Sequence, residues 1–279
     1  MKINSSCNGH FVSVLLPVYN GGIFVQRAID SILNQSFTDF ELIILNDGST
    51  DNTKEILDSL TDRRVRAVHK KNEGLGKTLN KGIQMACGEF IARMDADDIA
   101  HPDRLKMQVE FLQKNPDISV VGTATKVIYT DGDEKVRRRP LSPVEVKKHA
   151  IKICPVAHPS VMMRKDSILA VGGYDENYDS SLGKSAGVDY HLWIRVIAKG
   201  YKIANSPEPL IIYYRSKNSI TGRKSLRFNL LERVRLRLWA KKELGLGLKA
   251  YFEILFVAIF TVFNHFGMKV DRLFNFLSK

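Results

Sequence analysis

Short apolar runs alternate with amphipathic helical patterns along the N-terminal part of the chain, and this alternation constrains the fold most. Val12–Val18 reads VSVLLPV, which is typical of a buried strand, and the apolar residues that follow recur at the spacing of one helix face. Further strands are predicted at 41–45, 65–68 and 90–94, each followed by a helical pattern. Strands that alternate with helices of this length indicate βαβ units, so we predict an α/β fold with a mostly parallel sheet flanked by helices.

The pattern changes after Pro116. Separate strands are predicted at 118–122 and 126–130, and a capping box at 142–145 predicts the start of a helix. An apolar helix is expected at 187–199 and a last strand at 211–214, and the chain beyond residue 215 reads as a basic helical extension.

Polar clusters follow three of the predicted strands. They are YNGG at 19–22, NDGSTD at 46–51 and DADD at 95–98. The carboxyl ends of parallel strands meet at one edge of a sheet, where open α/β sheets bind their ligands. We therefore expect the three clusters to form one site.

The acidic cluster carries the clearest chemistry. In an extended chain residues i and i+2 point the same way, so the carboxylates of Asp95 and Asp97 are expected to face one site. Such oxygen ligands suit Mg²⁺ or Mn²⁺. The alternative is a solvated turn in which Asp98 or Asp103 caps the next helix.

Two further acids also admit two interpretations. Asp47 ends a predicted strand, where it could stabilise a turn or accept a hydrogen bond from a base or ribose. Asp189 opens an apolar helix, where an acid ordinarily interacts with the helix dipole.

The charge balance favours anionic partners, because the 279-residue chain has a formal net charge of +12 at pH 7. The excess is concentrated in residues 223–279, which hold twelve Lys or Arg and four Asp or Glu. Three widely spaced cysteines, an odd number, argue against a disulfide framework and fit a reducing cytoplasm. The first ten residues carry no apolar signal-peptide segment.

The C-terminal tail contains an apolar run at 254–263. This run is shorter than the roughly 20 residues that span a bilayer, and cations flank it on both sides, so we expect the tail to lie on an anionic membrane surface. The alternative is a dimer interface or a helix packed on the catalytic domain. Arg237 and Lys241 fall close to the apolar line of the preceding helix, so a tight core contact is not expected there.

Seven motifs occur in order along the chain. They are PVYNGG (17–22), NDGSTD (46–51), NEGLGKTLNKGIQMACGEFIARMDADD (72–98), HPDRL (101–105), GGYDE (172–176), VDYHLW (188–193) and YYRSKNSIT (213–221). Together they resemble the inverting family-2 glycosyltransferases, which have the GT-A fold. The resemblance covers roughly residues 10–221.

The resemblance implies a role for individual residues. Asp189 matches the general base that deprotonates the acceptor hydroxyl, and Asp97 with Asp95 matches the site for Mn²⁺ or Mg²⁺ that bridges the donor diphosphate. Asp47 matches the residue that reads the nucleotide base. The other implied donor-binding residues are Pro17, Tyr19, Asn20, Lys77, Arg93, Asp95 and Ala96.

The chain departs from the family pattern at two points. Many relatives have Glu before the general base, where this chain has Val188. The Gln-x-x-Arg-Trp motif of the processive polysaccharide synthases is absent from the sequence. We therefore expect one sugar to be added per encounter.

The resemblance implies a metal-dependent inverting enzyme that moves a hexose from a nucleotide-sugar, expected to be a UDP-sugar, to a hydroxyl of a glycan or lipid-linked glycan. The implied pathway builds a surface polysaccharide of the O-antigen or capsule kind, on the cytoplasmic face of the inner membrane. Residues 1–222 would form the GT-A catalytic domain, with a nucleotide-sugar-binding half at 10–115 and an acceptor-side half at 116–222, and 223–279 the tail.

The sequence was also compared with the requirements of two other functions, a sugar nucleotidyltransferase and a nucleic-acid-binding protein, and meets neither. A sugar nucleotidyltransferase would need a Gly-rich loop bearing Arg or Lys after the first strand, and YNGGIFV lacks this character. A basic nucleic-acid-binding protein should spread its cations over one surface, whereas the excess here lies in the tail, so no nucleic-acid partner is expected. Homo-oligomerisation stays open.

Overall fold

The computed structural model describes residues 11–130, 132–176, 187–215 and 226–265. Within these ranges the strands are β1 Val12–Val18, β2 Phe40–Asp47, β3 Val65–Lys70, β4 Phe90–Arg93, β5 Ile99–Ala100, β6 Ile118–Tyr129, β7 Glu134–Arg137, β8 Met162–Arg164 and β9 Lys202–Arg215. The helices are α1 Val25–Leu33, α2 Thr53–Asp58, α3 Leu75–Met85, α4 Arg104–Lys114, α5 Pro143–His149, α6 Lys165–Ala170, α7 Val188–Ala198, α8 Leu226–Glu243 and α9 Lys249–His265.

The described strands form one sheet in the order β3-β2-β1-β4-β8-β6-β9-β5, with β7 paired to β6. Strands β1 to β4 are mutually parallel where they pair. Strand β8 runs antiparallel to both β4 and β6, and β5 runs antiparallel to β9. The predicted α/β fold is confirmed, with its parallel part in the N-terminal half and a mixed part beyond β4.

The hydrophobic core consists of two layers, one on each face of the sheet. Strand side chains alternate between the layers, so Leu15 packs in one layer while Val14 and Leu16 pack in the other. Helices α3, α5, α6 and α7 cover the layer that contains Leu15. Helices α1 and α4 cover the layer that contains Val14 and Leu16. The near-continuous apolar composition of β1 and β2 follows from burial on both faces.

One predicted boundary is wrong. Residues 118–122 and 126–130 were expected to form separate strands, but β6 continues through Thr123, Ala124 and Thr125 between them. Thr123 is fully buried there, and its backbone N–H donates to Ser160 Oγ at 3.0 Å. A β-branched threonine with a satisfied backbone fits a strand as well as an apolar residue does.

The cysteine expectation also needs correction. Cys87 is disulfide-bonded, and Cys154 is a free cysteine.

Part of the motif at 213–221 lies outside the described residues, because the description stops at residue 215 and resumes at 226.

The C-terminal extension packs on the hydrophobic core of the sheet. Leu236 and Ala240 of α8 and Ile254 of α9 are buried in the same layer as α7. The expectation that Arg237 would prevent a tight contact is wrong, because its guanidinium lies over the Tyr190 ring, 5.0 Å from the centroid. In the described part of the chain, no helix is both long and apolar enough to cross a bilayer.

We expect Gly88→Ala to destabilise the protein. A Cβ at this buried position would lie 2.5 Å from the backbone nitrogen of Ser13 and 2.7 Å from the carbonyl carbon of Val12, so β1 would have to move. The loss should be about 1–3 kcal/mol or more, which is the usual cost of overpacking. It can be measured by urea unfolding. Gly247→Ala is the control, since a Cβ there meets nothing within 4 Å, and equal stability of the two variants would contradict this account of the β1 contact.

Candidate active site

The loops after β1 and β2 are joined by side-chain hydrogen bonds. Asn20 has a positive φ of 54°, in the left-handed region that asparagine tolerates better than most residues. Its Oδ1 accepts from the Thr50 backbone N–H at 2.8 Å, and the Gly21 N–H donates to Thr53 Oγ1 at 3.0 Å. The Asn20 side chain therefore holds the two loops together.

Two neighbouring predicted donor-binding residues differ in exposure. Pro17 is buried inside β1, where it pairs with Leu45 of β2. Tyr19 is 54% exposed at the carboxyl edge of the sheet. Tyr19 can therefore meet a ligand directly, whereas Pro17 shapes the strand end beneath it.

Asp47 organises the start of α3. Its Oδ1 accepts from the Glu73 N–H and its Oδ2 from the Gly74 N–H, both at 3.0 Å, and it forms an ion pair with Lys70. Lys77 lies in the following helical turn, where its charge acts on Glu73. Asp47 thus fixes the loop that carries the predicted donor-binding lysine.

Three carboxylates lie together after β4. Ligand atoms of Asp95, Asp97 and Asp98 are all within 4.8 Å of one another. Asp98 is only 1% exposed, and neither of its carboxyl oxygens has a hydrogen-bond partner among the described residues. Burial, and then the charges of Asp95 and Asp97, raise the pKa of Asp98 to about 9. Such an arrangement is unfavourable unless a proton or a cation compensates it.

The cluster fits a divalent metal ion. Its donors are all carboxylate oxygens, which are the ligands that Mg²⁺ and Mn²⁺ prefer. The buried carboxyl of Asp98 has the oxygens that a cation would satisfy. Desolvation by the surrounding protein and the charge of Asp95 also raise the pKa of Asp97, and a bound cation would favour its ionised form.

Two buried arginines support this cluster. Arg93 is 2% exposed and is ion-paired with Asp95. Arg104 is fully buried and donates to the Arg93 carbonyl oxygen at 2.7 Å and to Gln108 Oε1 at 3.1 Å. Burial lowers the pKa of Arg104 to about 9, although the charge of Asp98 opposes this.

No site role was predicted from the sequence for Asp98 or Arg104. A signal for Arg104 was available, because Arg104 and Gln108 are polar residues four apart on the otherwise apolar buried face of α4. Arg27 was also missed. Its Nη2 donates to the Asp97 carbonyl oxygen at 3.4 Å, and its guanidinium lies 4.2 Å from the centroid of the Tyr214 ring. These two contacts of Arg27 connect α1 and β9 to the acidic cluster. Ala96, between Asp95 and Asp97, is half-buried.

Asp189 lies in the first turn of α7. Burial raises the pKa of its carboxyl, while the charge of Arg93 lowers it. Arg93 is also ion-paired with Asp95, so one guanidinium acts on both acids. A carboxylate with a raised pKa is suited to accept a proton.

We expect Mn²⁺ to raise the melting temperature of the protein, and Asp97→Asn to remove most of the gain because a neutral amide is a weaker ligand. At a metal concentration of about 100 times Kd, the wild-type gain should be about 2.7 kcal/mol. Differential scanning fluorimetry with and without a chelator measures it.

The matched control is Asp117→Asn. Asp117 is exposed and pairs with Lys202 at 2.7 Å, away from the cluster, so this variant should keep the Mn²⁺ effect. An Asp97→Asn protein that gains as much as the wild type would refute the assignment of Asp97 as a ligand.

Comparison with known proteins gives a consistent identification. The family model described as glycosyl transferase family 2 matches residues 13–172. The amylovoran biosynthesis glycosyltransferase AmsE of Erwinia amylovora is 29% identical over 207 residues, which are 71% of this chain and 74% of that protein.

Two solved structures share the fold. TarS from S. aureus in complex with UDP-GlcNAc matches with a TM-score of 0.68 at 19% identity, over 91% of this chain and 73% of that chain. The mannosyltransferase PcManGT from Pyrobaculum calidifontis, in complex with GDP-Man and Mn²⁺, matches with a TM-score of 0.62 at 17% identity, over 90% and 74% of the two chains. The family model covers more than half of the sequence, and on that ground the chain belongs to glycosyl transferase family 2.

Proposed function

We propose that this family member is a metal-dependent, inverting and non-processive hexosyltransferase that uses a UDP-sugar as donor. The observation that carries the proposal is the acidic cluster of Asp95, Asp97 and Asp98, in which the buried Asp98 carboxyl has no hydrogen-bond partner within the described ranges of the chain. Asp189 complements it as an acid with a raised pKa on a different element. Similarity to TarS bound to UDP-GlcNAc and to PcManGT bound to GDP-Man and Mn²⁺ supports this choice of ligands.

The donor would bind at the carboxyl edge of β1, β2 and β4. Tyr19, Lys77, Arg93 and Asp95 would contact it, with Pro17, Asn20 and Ala96 shaping the surface. The Asp47 carboxylate accepts from the Glu73 and Gly74 N–H groups and so orders the loop before α3. Asp47 and this ordered loop would together form the binding site for the nucleotide base. Under this proposal, residues 10–115 would bind the donor and residues 116–222 would form the acceptor side of the site.

The protein's own residues supply the remaining chemistry. Asp97, Asp95 and Asp98 would hold Mn²⁺ or Mg²⁺, which when bound neutralises the charge that builds up on the leaving diphosphate. Asp189 would accept the proton of the acceptor hydroxyl as that oxygen attacks the anomeric carbon. Attack and departure on opposite faces of the sugar invert the anomeric centre.

We expect Asp189→Asn to retain donor binding while turnover falls by about 10²–10⁴-fold, since the amide cannot accept the proton. Isothermal titration with UDP-sugar and Mn²⁺ measures binding, and release of UDP in the presence of acceptor measures turnover. A chelator should abolish turnover by the wild type.

Asp166→Asn is the control, because Asp166 is exposed and is also an acid in a first helical turn, that of α6. This variant should keep its turnover. An Asp189→Asn protein with weaker donor binding but full turnover would make Asp189 a structural cap and place the base elsewhere.

The acceptor is proposed to be a lipid-linked glycan in the assembly of a surface polysaccharide. AmsE, which is similar to this chain, is a glycosyltransferase of amylovoran biosynthesis, and this supports a polysaccharide product. A lipid-linked acceptor would require the enzyme to work at a membrane surface. The proposed location is therefore peripheral, on the cytoplasmic face of the inner membrane.

Helix α9 offers a surface for such binding. Its buried side packs on the core through Ala250, Ile254 and Val257. Large apolar side chains are exposed on its outer side and just before it, namely Leu248, Tyr251, Phe252, Leu255 and Ile259. Exposed cations lie close by in the sequence, at Lys242 and Lys249. Apolar side chains bordered by cations match the chemistry of an anionic lipid surface.

We expect the wild-type protein to float with anionic vesicles at low salt, and the double variant Phe252→Glu/Leu255→Glu to remain in the soluble fraction. These side chains are 74% and 57% exposed, so both can change without disturbing the core. Each would contribute about 1.5–3 kcal/mol if it were fully buried in lipid.

The control is Val144→Glu, which changes a 79% exposed apolar side chain of α5 and should still float. Point variants are preferable to removal of the tail, because removal would delete Leu236, Ala240 and Ile254 and uncover the core layer that they cover. If the wild type stays soluble at low salt, the membrane proposal fails, and sedimentation would then test the surface as an oligomer contact.

A further inference from the structure

A free cysteine lies against the proposed general base. Cys154 follows α5 and its Sγ is 3.7 Å from Asp189 Oδ2, a normal separation for a thiol donating to a carboxylate. The sequence motifs gave this residue no role. We propose that Cys154 is a positioning residue that donates its S–H to Asp189 Oδ2 and so leaves Oδ1 to accept the proton of the acceptor hydroxyl.

The thiol is suited to act as a donor. Burial, followed by the negative charge of Asp189, raises the pKa of Cys154 well above its ordinary value. The sulfur therefore keeps its proton at neutral pH, and the carboxylate is the acceptor. A hydrogen bond to the charged form of a carboxylate favours that form, so the thiol helps Asp189 to stay ionised despite its burial.

The segment that carries Cys154 is held in place on both sides. Asn205 Nδ2 donates to the Pro155 carbonyl oxygen at 3.1 Å and to the Pro140 carbonyl oxygen at 2.7 Å. Tyr190, the residue after Asp189, donates its hydroxyl to the Ala150 carbonyl oxygen at 2.9 Å. The segment that carries Cys154 is thus joined to the first turn of α7 by two contacts, that of Tyr190 with Ala150 and that of Cys154 with Asp189.

Other charged groups surround this pair from several elements. Arg139 and Arg237 act on the Cys154 thiol, and Arg93 acts on Asp189. Tyr174 faces Asp189 as well, with its hydroxyl 2.8 Å from His158 Nε2. None of these groups changes in a substitution at position 154, so a shift in the pH profile would report the loss of the thiol contact.

The test compares Cys154→Ala with Cys154→Ser in the full-length protein. We expect Cys154→Ala to lower kcat about 2- to 10-fold, the loss for one weak hydrogen bond, with the KM for the UDP-sugar unchanged. The acidic limb of the kcat profile should move to higher pH by up to about one unit, because the ionised form of Asp189 loses a donor. Cys154→Ser should restore part of both, since its hydroxyl can donate.

The inference rests on the proposed role of Asp189, so its failure must be separable from failure of that role. In an Asp189→Asn background, Cys154→Ala should produce no further loss of kcat, because the residue acts through Asp189. If Asp189→Asn lacks turnover but Cys154→Ala keeps the wild-type kcat and pH profile, the positioning role is wrong and the base assignment stands. If Asp189→Asn retains turnover, the proposed function fails first. Mn²⁺- and UDP-dependent thermal stabilisation of each variant establishes that it is folded.

Discussion

The structure depends on how the charge of Asp98 is balanced. This carboxyl is 1% exposed and has no hydrogen-bond partner among the described residues. Arg93 and Arg104 lie beside it and partly compensate its charge, and two guanidinium nitrogens of Arg93 and one of Arg104 have no partner in the described structure. Removing one member of a buried charged group typically lowers the free energy of unfolding by about 3–5 kcal/mol, because the remaining charge is left buried without a partner. A divalent cation would complete the balance and at the same time bind a diphosphate.

The same charges connect the two halves of the site. Arg93 ends β4, is ion-paired with Asp95, and acts electrostatically on Asp189 of α7. Helix α7 is in turn supported by the C-terminal extension, since Trp239 of α8 stacks on His191 with ring centroids 4.0 Å apart. The extension is therefore part of the framework behind Asp189, and its outer face remains available for a membrane.

Secondary structure and helix capping depend on residues close in sequence, and these features were predicted correctly for β1 to β4 and for the start of α5. The apolar period gave β1 to β4 and the helices between them, and the capping box at Ser142 and Glu145 is present. The i, i+2 rule predicted that Asp95 and Asp97 would lie together, but the burial of Asp98 and the contact of Arg104 depend on how α4 packs against β4. The contact of Cys154 with Asp189 joins residues 35 apart in sequence, and no local pattern encodes it. The burial of α8 was missed because Arg237 was treated as a barrier, whereas an arginine can pack on an aromatic ring.

The central claim is that the three aspartates hold a divalent cation that binds the donor diphosphate. Crystals grown with UDP and Mn²⁺ would test it through the anomalous scattering of manganese. The account predicts one manganese peak among Asp95, Asp97 and Asp98, at about 2 Å from carboxylate oxygens and from an oxygen of the UDP diphosphate. A structure with UDP bound and the manganese peak away from these residues, or with no peak at saturating Mn²⁺, would contradict it.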